Sequence, residues 1–320
     1  MNIVITGAGG FIGQAVIAAL EETGKHQLLA VDTSAAPSTA PSATPSAKPS
    51  LTHTSTQWLQ GDIAEPGVID ELFAKPCDAV LHLATVPGGA AEDNRAQAQR
   101  VNIDASLALL EAARSATSPP RIVFASSIAV YGELDGGLAT DDTILAPRMI
   151  YGAQKAMIET WVSALTQRGE IQGLSLRLPG VVARPLAPSG MKSAFMSNLF
   201  HAARAGEPFT CPVSPEATMW LMSRPKIVEN LLHALTLDAE QLRLASAMTL
   251  PPLRLSMHEL VTAVAQATGY TEDFVSYQPD PDLEAVFGQL PPHRFTLAKE
   301  LGFKDDSNVE QLVMNALSYL

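Results

Sequence analysis

The stretch Ile3-Val4-Ile5-Thr6-Gly7-Ala8-Gly9-Gly10-Phe11-Ile12-Gly13 constrains this chain more than any other. An apolar, β-branched run passes straight into a glycine-rich turn and then into a helical pattern. Gly7 and Gly10 allow a tight turn and a close backbone approach to a pyrophosphate, and Gly13 lets the helix pack on its strand. The helix N-terminus at Phe11 and Ile12 offers free N–H groups and the positive end of a dipole to the phosphates. Strand, turn and helix in this order point to a dinucleotide.

The same alternation continues through the first half. Strands are predicted at Asn2–Ile5, Gln27–Val31, Gln57–Gly61, Ala79–Leu83, Arg121–Ala125 and Leu174–Leu178, with helices near Gly13–Thr23, Gly67–Ala74, Arg95–Ser115 and Tyr151–Arg168. Apolar strands alternating with helices imply a Rossmann-type α/β fold, a doubly wound parallel sheet covered on both faces. Residues 34–50 interrupt the pattern with prolines spaced by Ser, Ala and Thr, a composition that builds neither helix nor core, and are expected to form a flexible surface loop. After Pro179 the pattern loosens. Helices are expected at Lys192–Ala205, Lys226–Leu237, Ser256–Thr268 and Asn308–Leu317, and a strand at Ala247–Leu250. At roughly 150 residues per domain, 320 residues suggest two domains. Residues 1–178 with about 222–252 are expected to hold the dinucleotide, and residues 179–221 with 253–320 to form a smaller mixed α/β substrate-binding lobe.

Composition narrows the partners. With 47% hydrophobic and 17% charged residues the chain can bury a full core. A net charge of −12 argues against nucleic acid and anionic membrane, both of which require a cationic surface. The average hides a basic island at residues 177–226, where Arg177, Arg184, Lys192, Arg204, Arg224 and Lys226 face only Glu207 and Glu216. That local excess suits a small anionic substrate, and Arg184, just past the sixth strand, is the expected carboxylate anchor because its planar fork matches a carboxylate. Trp220 is expected to wall the same pocket. Two distant cysteines, Cys77 and Cys211, give neither a disulfide framework nor a metal site, so a cytoplasmic location is expected. Residues 3–20 carry no charge but lack the basic flank of a signal peptide, and no stretch reaches the length of a membrane helix.

Three further positions carry chemistry. Asp32 closes the second strand, where a carboxylate accepts from an adenosine ribose and repels a 2′-phosphate; NAD is therefore preferred over NADP. Asp62 and Ile63 follow the third strand, at the expected adenine edge. Tyr151 and Lys155 stand four residues apart on one helix face, so the ammonium can approach the phenol. For Tyr151 to act as a base, its pKa must fall by about three units, or roughly 4 kcal/mol of preferential stabilisation of the phenolate. Ser126 and Ser127, at the end of the fifth strand, offer hydroxyls to orient a substrate oxygen.

These residues together resemble the extended short-chain dehydrogenases/reductases, also called the NAD-dependent epimerase/dehydratases. Gly7-x-x-Gly10-x-x-Gly13, Asp32, Asp62-Ile63, His82 to Thr85, Asn102, Phe124 to Gly132 and Tyr151-Gly152-x-x-Lys155 carry the likeness over nearly the whole chain. The resemblance implies Ser127, Tyr151 and Lys155 as catalytic residues. It implies Leu83, Ala84, Thr85 and Pro179 as further cofactor contacts, and Asn102 as a holder of active-site water and backbone. A closer likeness, in Gly88 to Glu92, Leu176 to Pro185 and Cys211 to Trp220, is to members that oxidise the C2 hydroxyl of D-erythronate, and it places Gly89 at the substrate. The insertion after Asp32, and Gly180 where a threonine is expected, depart from that pattern. A sugar epimerase or dehydratase that retains its NAD is the rival reading, followed by a non-catalytic NAD-sensing protein. His82, Cys77 and Cys211, and the stripe Met157, Ile158, Trp161, Val162 and Leu165, are read as packing residues. The resemblance implies a homodimer through the Tyr151 helix and the 95–115 helix.

Overall fold

The computed structural model describes residues 1–36, 55–134, 136–186 and 192–320, so most of the Pro/Ser/Ala segment lies outside the described residues. Its first half runs β1 (Asn2–Thr6), α1 (Phe11–Thr23), β2 (Gln27–Asp32), β3 (Ser55–Gln60), α2 (Pro66–Leu72), β4 (Ala79–His82), α3 (Gly88–Asp93), α4 (Arg95–Ala98), α5 (Ala105–Ser115), β5 (Arg121–Ser127), β6 (Ala139–Thr140), α6 (Ile150–Gln167) and β7 (Gln172–Leu178). A π-helical turn, Gln99–Asp104, joins α4 to α5. The second half runs β8 (Gly180–Val181), α7 (Phe195–Ala205), β9 (Phe209–Cys211), β10 (Thr218–Met222), α8 (Arg224–Ala234), α9 (Ala239–Leu244), β11 (Ala247–Thr249), β12 (Leu253–Ser256), α10 (Met257–Thr268), β13 (Val275–Tyr277), α11 (Pro281–Phe287), β14 (His293–Arg294), α12 (Leu297–Glu300) and α13 (Val309–Leu317).

Among the described residues a seven-stranded sheet has the order β11-β7-β5-β4-β1-β2-β3, with every pairing parallel. The period-two geometry of strands explains the layering. Ile3 and Ile5 of β1, Ala79 and Leu81 of β4, and Val123 of β5 face one layer with Val16, Leu20, Ile227 and Leu231 of α1 and α8. Val4, Val80, Ile122 and Phe124 face the other, with Leu109 and Leu110 of α5 and Ile158 and Val162 of α6. Strand order reverses between β1 and β4, and the carboxyl ends of the strands at such a point are where such folds bind ligands.

A separate apolar cluster joins α7, α10 and α13 through Phe195, Leu199, Phe200, Leu260, Val264, Leu312 and Val313. Helix α10 is held at its start by a reciprocal capping box of Ser256 and Glu259. Ala298 and Phe303, from the segment expected in the substrate lobe, instead pack into the α1–α8 layer of the sheet. No helix among the described residues is long and apolar enough to cross a membrane.

Candidate active site

The glycine turn is shaped by close backbone approach. Gly7 has φ +69°, and a Cβ there would stand 2.7 Å from the Ala84 nitrogen on the neighbouring strand end. A Cβ on Gly13 would lie 2.3 Å from the Gly7 carbonyl, so only glycine lets α1 seat on β1. Gly10 is the N-cap of α1, no side chain caps the helix, and its first turn carries no acidic residue. An uncapped helix start behind a glycine cradle fits the diphosphate of a dinucleotide. Asp32 accepts from the Gly9 N–H at 3.0 Å and from the backbone and hydroxyl of Ser34 at 2.9 and 2.8 Å. It thus holds the glycine turn at the end of β2, where a ribose would meet it. Asp62 accepts from the Ala64 N–H and pairs with Arg100 at 2.7 Å, while Ile63 turns its side chain into the core, leaving its backbone for an adenine edge.

On the β4 side, the Leu83 and Ala84 N–H groups bond back to Thr6. Asn102 sits in the π-helical turn and is fully occupied. It accepts from the Thr85 hydroxyl and the Val86 N–H and donates to the Val86 carbonyl and to Gln154. Its amide thus holds the Val86 backbone and ties this segment to α6. His82 is buried between the Thr6 and Ser106 hydroxyls, and burial pushes its pKa down to about 3, helped by the Lys155 charge. Pro179 is buried just beyond β7.

The start of α6 is set by α3, because Glu92 accepts from the Ile150 N–H at 2.6 Å. Tyr151 follows, lying deep but keeping part of its surface open. The Ser127 hydroxyl and the charge of Arg184 both lie close enough to act on its phenol. Lys155, one turn on, is buried, donates from Nζ to the Ala125 carbonyl at 2.8 Å, and stands 5.6 Å from the Tyr151 ring centre. Ser127 also accepts from the Ala129 N–H at 3.1 Å as the cap of a short 3₁₀ turn, Ile128–Val130. Arg184 is aimed by an unusual backbone: Ala183, before it, has φ +54°, a left-handed conformation that costs a non-glycine residue roughly 1–2 kcal/mol. Gly89 lies in α3, on the segment that Glu92 fastens to α6.

Several expectations change. In the unliganded chain burial pushes the Tyr151 pKa up to about 12 against the opposing Ser127 and Arg184, while burial lowers Lys155 to about 7. The phenol is thus not tuned down by the protein's resident charges alone. Ser126 is 2% exposed and donates to the buried Glu159, so it supports the strand end and does not face substrate. Trp220 is 1% exposed, donates to the Pro291 carbonyl and packs against Tyr131 and Phe295; it belongs to the core, because an indole with its N–H satisfied inside fills more apolar volume there. Met157 and Trp161 are 57% and 52% exposed, and only Ile158, Val162 and Leu165 of their stripe are buried.

Two of the six cations of the basic island are matched by acids, and a third is packed between rings. Arg177 pairs with Glu159, Lys226 pairs with Glu229, and Arg224 is clamped between the rings of Phe11 and Tyr319, 4.6 and 4.0 Å from their centres. The side chain of Lys192 lies outside the described residues. Glu159 escaped the sequence reading although it left a signal, four residues after Lys155; Glu92 and Arg224 were read only as part of a likeness and of a charge island, without the contacts they make. Among the described residues no cluster of His, Cys, Asp and Glu could hold a metal ion.

Comparison with known proteins agrees with this geometry. Residues 3–234 match the model of the NAD dependent epimerase/dehydratase family. The chain is 32% identical to D-erythronate dehydrogenase of Cupriavidus necator, over 98% of this chain and 97% of that one. It is 29% identical to D-erythronate dehydrogenase of Haemophilus influenzae, over 100% and 99%. A nucleoside-diphosphate-sugar epimerase from Agrobacterium tumefaciens superposes with a TM-score of 0.85 at 26% identity, covering 98% of this chain and 92% of that one. The chain belongs to the NAD dependent epimerase/dehydratase family, and within it to the NAD-dependent dehydrogenases.

Proposed function

We propose that this enzyme oxidises the C2 hydroxyl of a small sugar acid, D-erythronate or a near relative, to the 2-oxo acid with reduction of NAD. The observation that carries the reading is the meeting of Ser127, Tyr151 and Arg184 at one place. A hydroxyl orienter, a proton acceptor and a carboxylate anchor there match a short hydroxy acid, whose carboxylate lies one bond from the reacting carbon. The relatives named D-erythronate dehydrogenase support the four-carbon choice.

NAD, when bound, supplies the hydride acceptor; Gly7, Gly10 and Gly13, the start of α1 and Asp32 hold it. Ser127 donates to the substrate oxygen. Tyr151, as phenolate, takes the hydroxyl proton while the C2 hydrogen leaves as hydride, and the proton passes on to solvent. Because burial pushes the free phenol up to about 12, the phenolate depends on the positive charges of Lys155 and Arg184 and, when NAD is bound, of the nicotinamide. Arg184 binds the carboxylate as a charge-assisted fork. The same reading carries a homodimer through α6 and the 95–115 helix, with the exposed Met157 and Trp161 between copies; a monomer in light scattering at micromolar concentration overturns it.

Four- to six-carbon sugar acids offered with NAD or NADP, and followed by NADH absorbance, test the function. NADH accumulating with D-erythronate and NAD is expected. Isomerised product without net NADH would replace the dehydrogenase with an epimerase.

A further inference from the structure

Tyr151, Lys155 and Glu159 are spaced so as to share one face of α6. Each meets one of the last three residues of β5: the phenol lies beside the Ser127 hydroxyl, Lys155 Nζ donates to the Ala125 carbonyl at 2.8 Å, and Glu159 accepts from the Ser126 hydroxyl. Glu159 is 2% exposed and gripped by Arg177, whose Nε lies 3.1 Å from both carboxylate oxygens and whose Nη2 donates to Oε2 at 2.8 Å. Arg177 Nη1 donates to the Tyr131 hydroxyl at 3.0 Å, which in turn meets the Thr249 hydroxyl at 2.5 Å. A buried ion pair is costly to desolvate, and apolar residues of similar volume often serve stability as well. This one lies directly behind the catalytic face.

We propose that Glu159 is a positioning residue of the active site: through Ser126 it fixes the strand end that presents Ser127, and through its charge it keeps the Lys155 ammonium protonated beside Tyr151. The inference rests on the reading of Tyr151 as the base.

The surroundings of Lys155 leave this task to Glu159. On α6 it faces Tyr151 and Glu159. From β4 comes His82, held neutral between two hydroxyls. From β5 come the Phe124 ring, 4.6 Å from Nζ, and the Ala125 carbonyl, neither charged. From β7 comes Arg177, a cation matched by Glu159, and beyond β8 lies Arg184, which acts on Tyr151. Burial draws the ammonium down to about 7, and Glu159 is the charge that opposes it.

Substitutions of the two partners give opposite signs. In the substrate-loaded complex, where Tyr151 is the phenolate, loss of the Lys155 proton sets the alkaline limb of the kcat–pH profile. Glu159→Gln removes the opposing charge and leaves Arg177 unmatched, so the limb moves down by about one pH unit, near tenfold in protonated fraction. Arg177→Met leaves the carboxylate to Lys155 and Ser126 alone, so the limb moves up. Glu159→Asp, which keeps the charge, restores most of the shift. A second readout needs no turnover. A lysine in the unfolded chain titrates near 10.4, whereas Lys155 in the fold titrates at about 7, so between these values the unfolded state binds more protons and stability rises with pH. In melting curves without NAD, Glu159→Gln starts that rise at lower pH.

Equal or same-signed shifts in the two single variants overturn the proposal. Should Glu159→Gln fail to fold, the double variant E159Q/R177M, which removes the pair together, carries the test: its limb must lie below that of the native chain, and an unmoved limb refutes the role. Full activity in Tyr151→Phe overturns the base itself. An inactive Tyr151→Phe beside unmoved limbs overturns only the part assigned to Glu159.

Discussion

Gly152→Ala separates the placement of Tyr151, the proposed base, from the stability of the helix that carries it. A Cβ on Gly152 would stand 2.2 Å from the Ala129 carbonyl oxygen and 3.1 Å from the Pro147 side chain. Carbon contacts are comfortable near 3.5 Å, so α6 and the 3₁₀ turn must part by about 1 Å. That turn is the one capped by Ser127, and Gly152 adjoins Tyr151, so the displacement falls on the pair that meets the substrate oxygen. A misplacement of about 1 Å costs on the order of a hundredfold in rate. Stability changes far less: overpacking costs about 1–3 kcal/mol, and exchanging a helical glycine for alanine offsets about 1 kcal/mol of it. NADH formation, a thermal melt and NAD binding by calorimetry, run on the same preparation, read these effects separately. A kcat within about threefold of the native value in a folded variant would refute the claim that this close contact sets the tyrosine.

Arg184→Gln removes a charge-assisted bond to the carboxylate, about 2–3 kcal/mol, and so lowers kcat/KM for the sugar acid roughly 30- to 150-fold while NAD affinity is unchanged. An unaltered KM for the acid would remove Arg184 from the substrate site. Asp32→Asn loses the ribose acceptor and weakens the Gly9 tether; calorimetry should show NAD binding about tenfold weaker and the preference over NADP reduced. Glu92→Ala strips the Ile150 N–H of its acceptor at the start of α6, which should cost about 1 kcal/mol in a denaturant titration and lower kcat with little change in NAD affinity.

The parts of the fold legible in the sequence were those with a local cause. The turn is written in glycines because a Cβ on Gly7, Gly10 or Gly13 meets backbone, and the strands of the sheet are written in apolar runs because they are buried on both faces. The 3.6-residue period placed Tyr151 and Lys155 on one face, where the structure finds them. Legibility ended where distant segments decide. Charge counting saw a basic island, but Arg177 finds its acid on α6 and Arg224 its aromatic partners on α1 and near the C-terminus, so cations counted together have separate partners across the fold. Trp220 is drawn inward by Tyr131, Phe295 and the Pro291 carbonyl, none of them near it in sequence. The Tyr151 pKa expectation considered neighbouring charge and omitted burial, the larger effect in the free protein. The short strands β8, β9, β13 and β14 are two or three residues long and pair across the chain, leaving no local period to read.

The most direct test of the account is the fate of the hydrogen at C2. D-erythronate carrying deuterium at that carbon, incubated with NAD and the native enzyme, should yield reduced cofactor that contains the deuterium and a 2-oxo acid that lacks it. Deuterium retained in the acid while NADH forms, or isomerised substrate with no reduced cofactor, would contradict oxidation at C2 by Ser127, Tyr151 and Arg184.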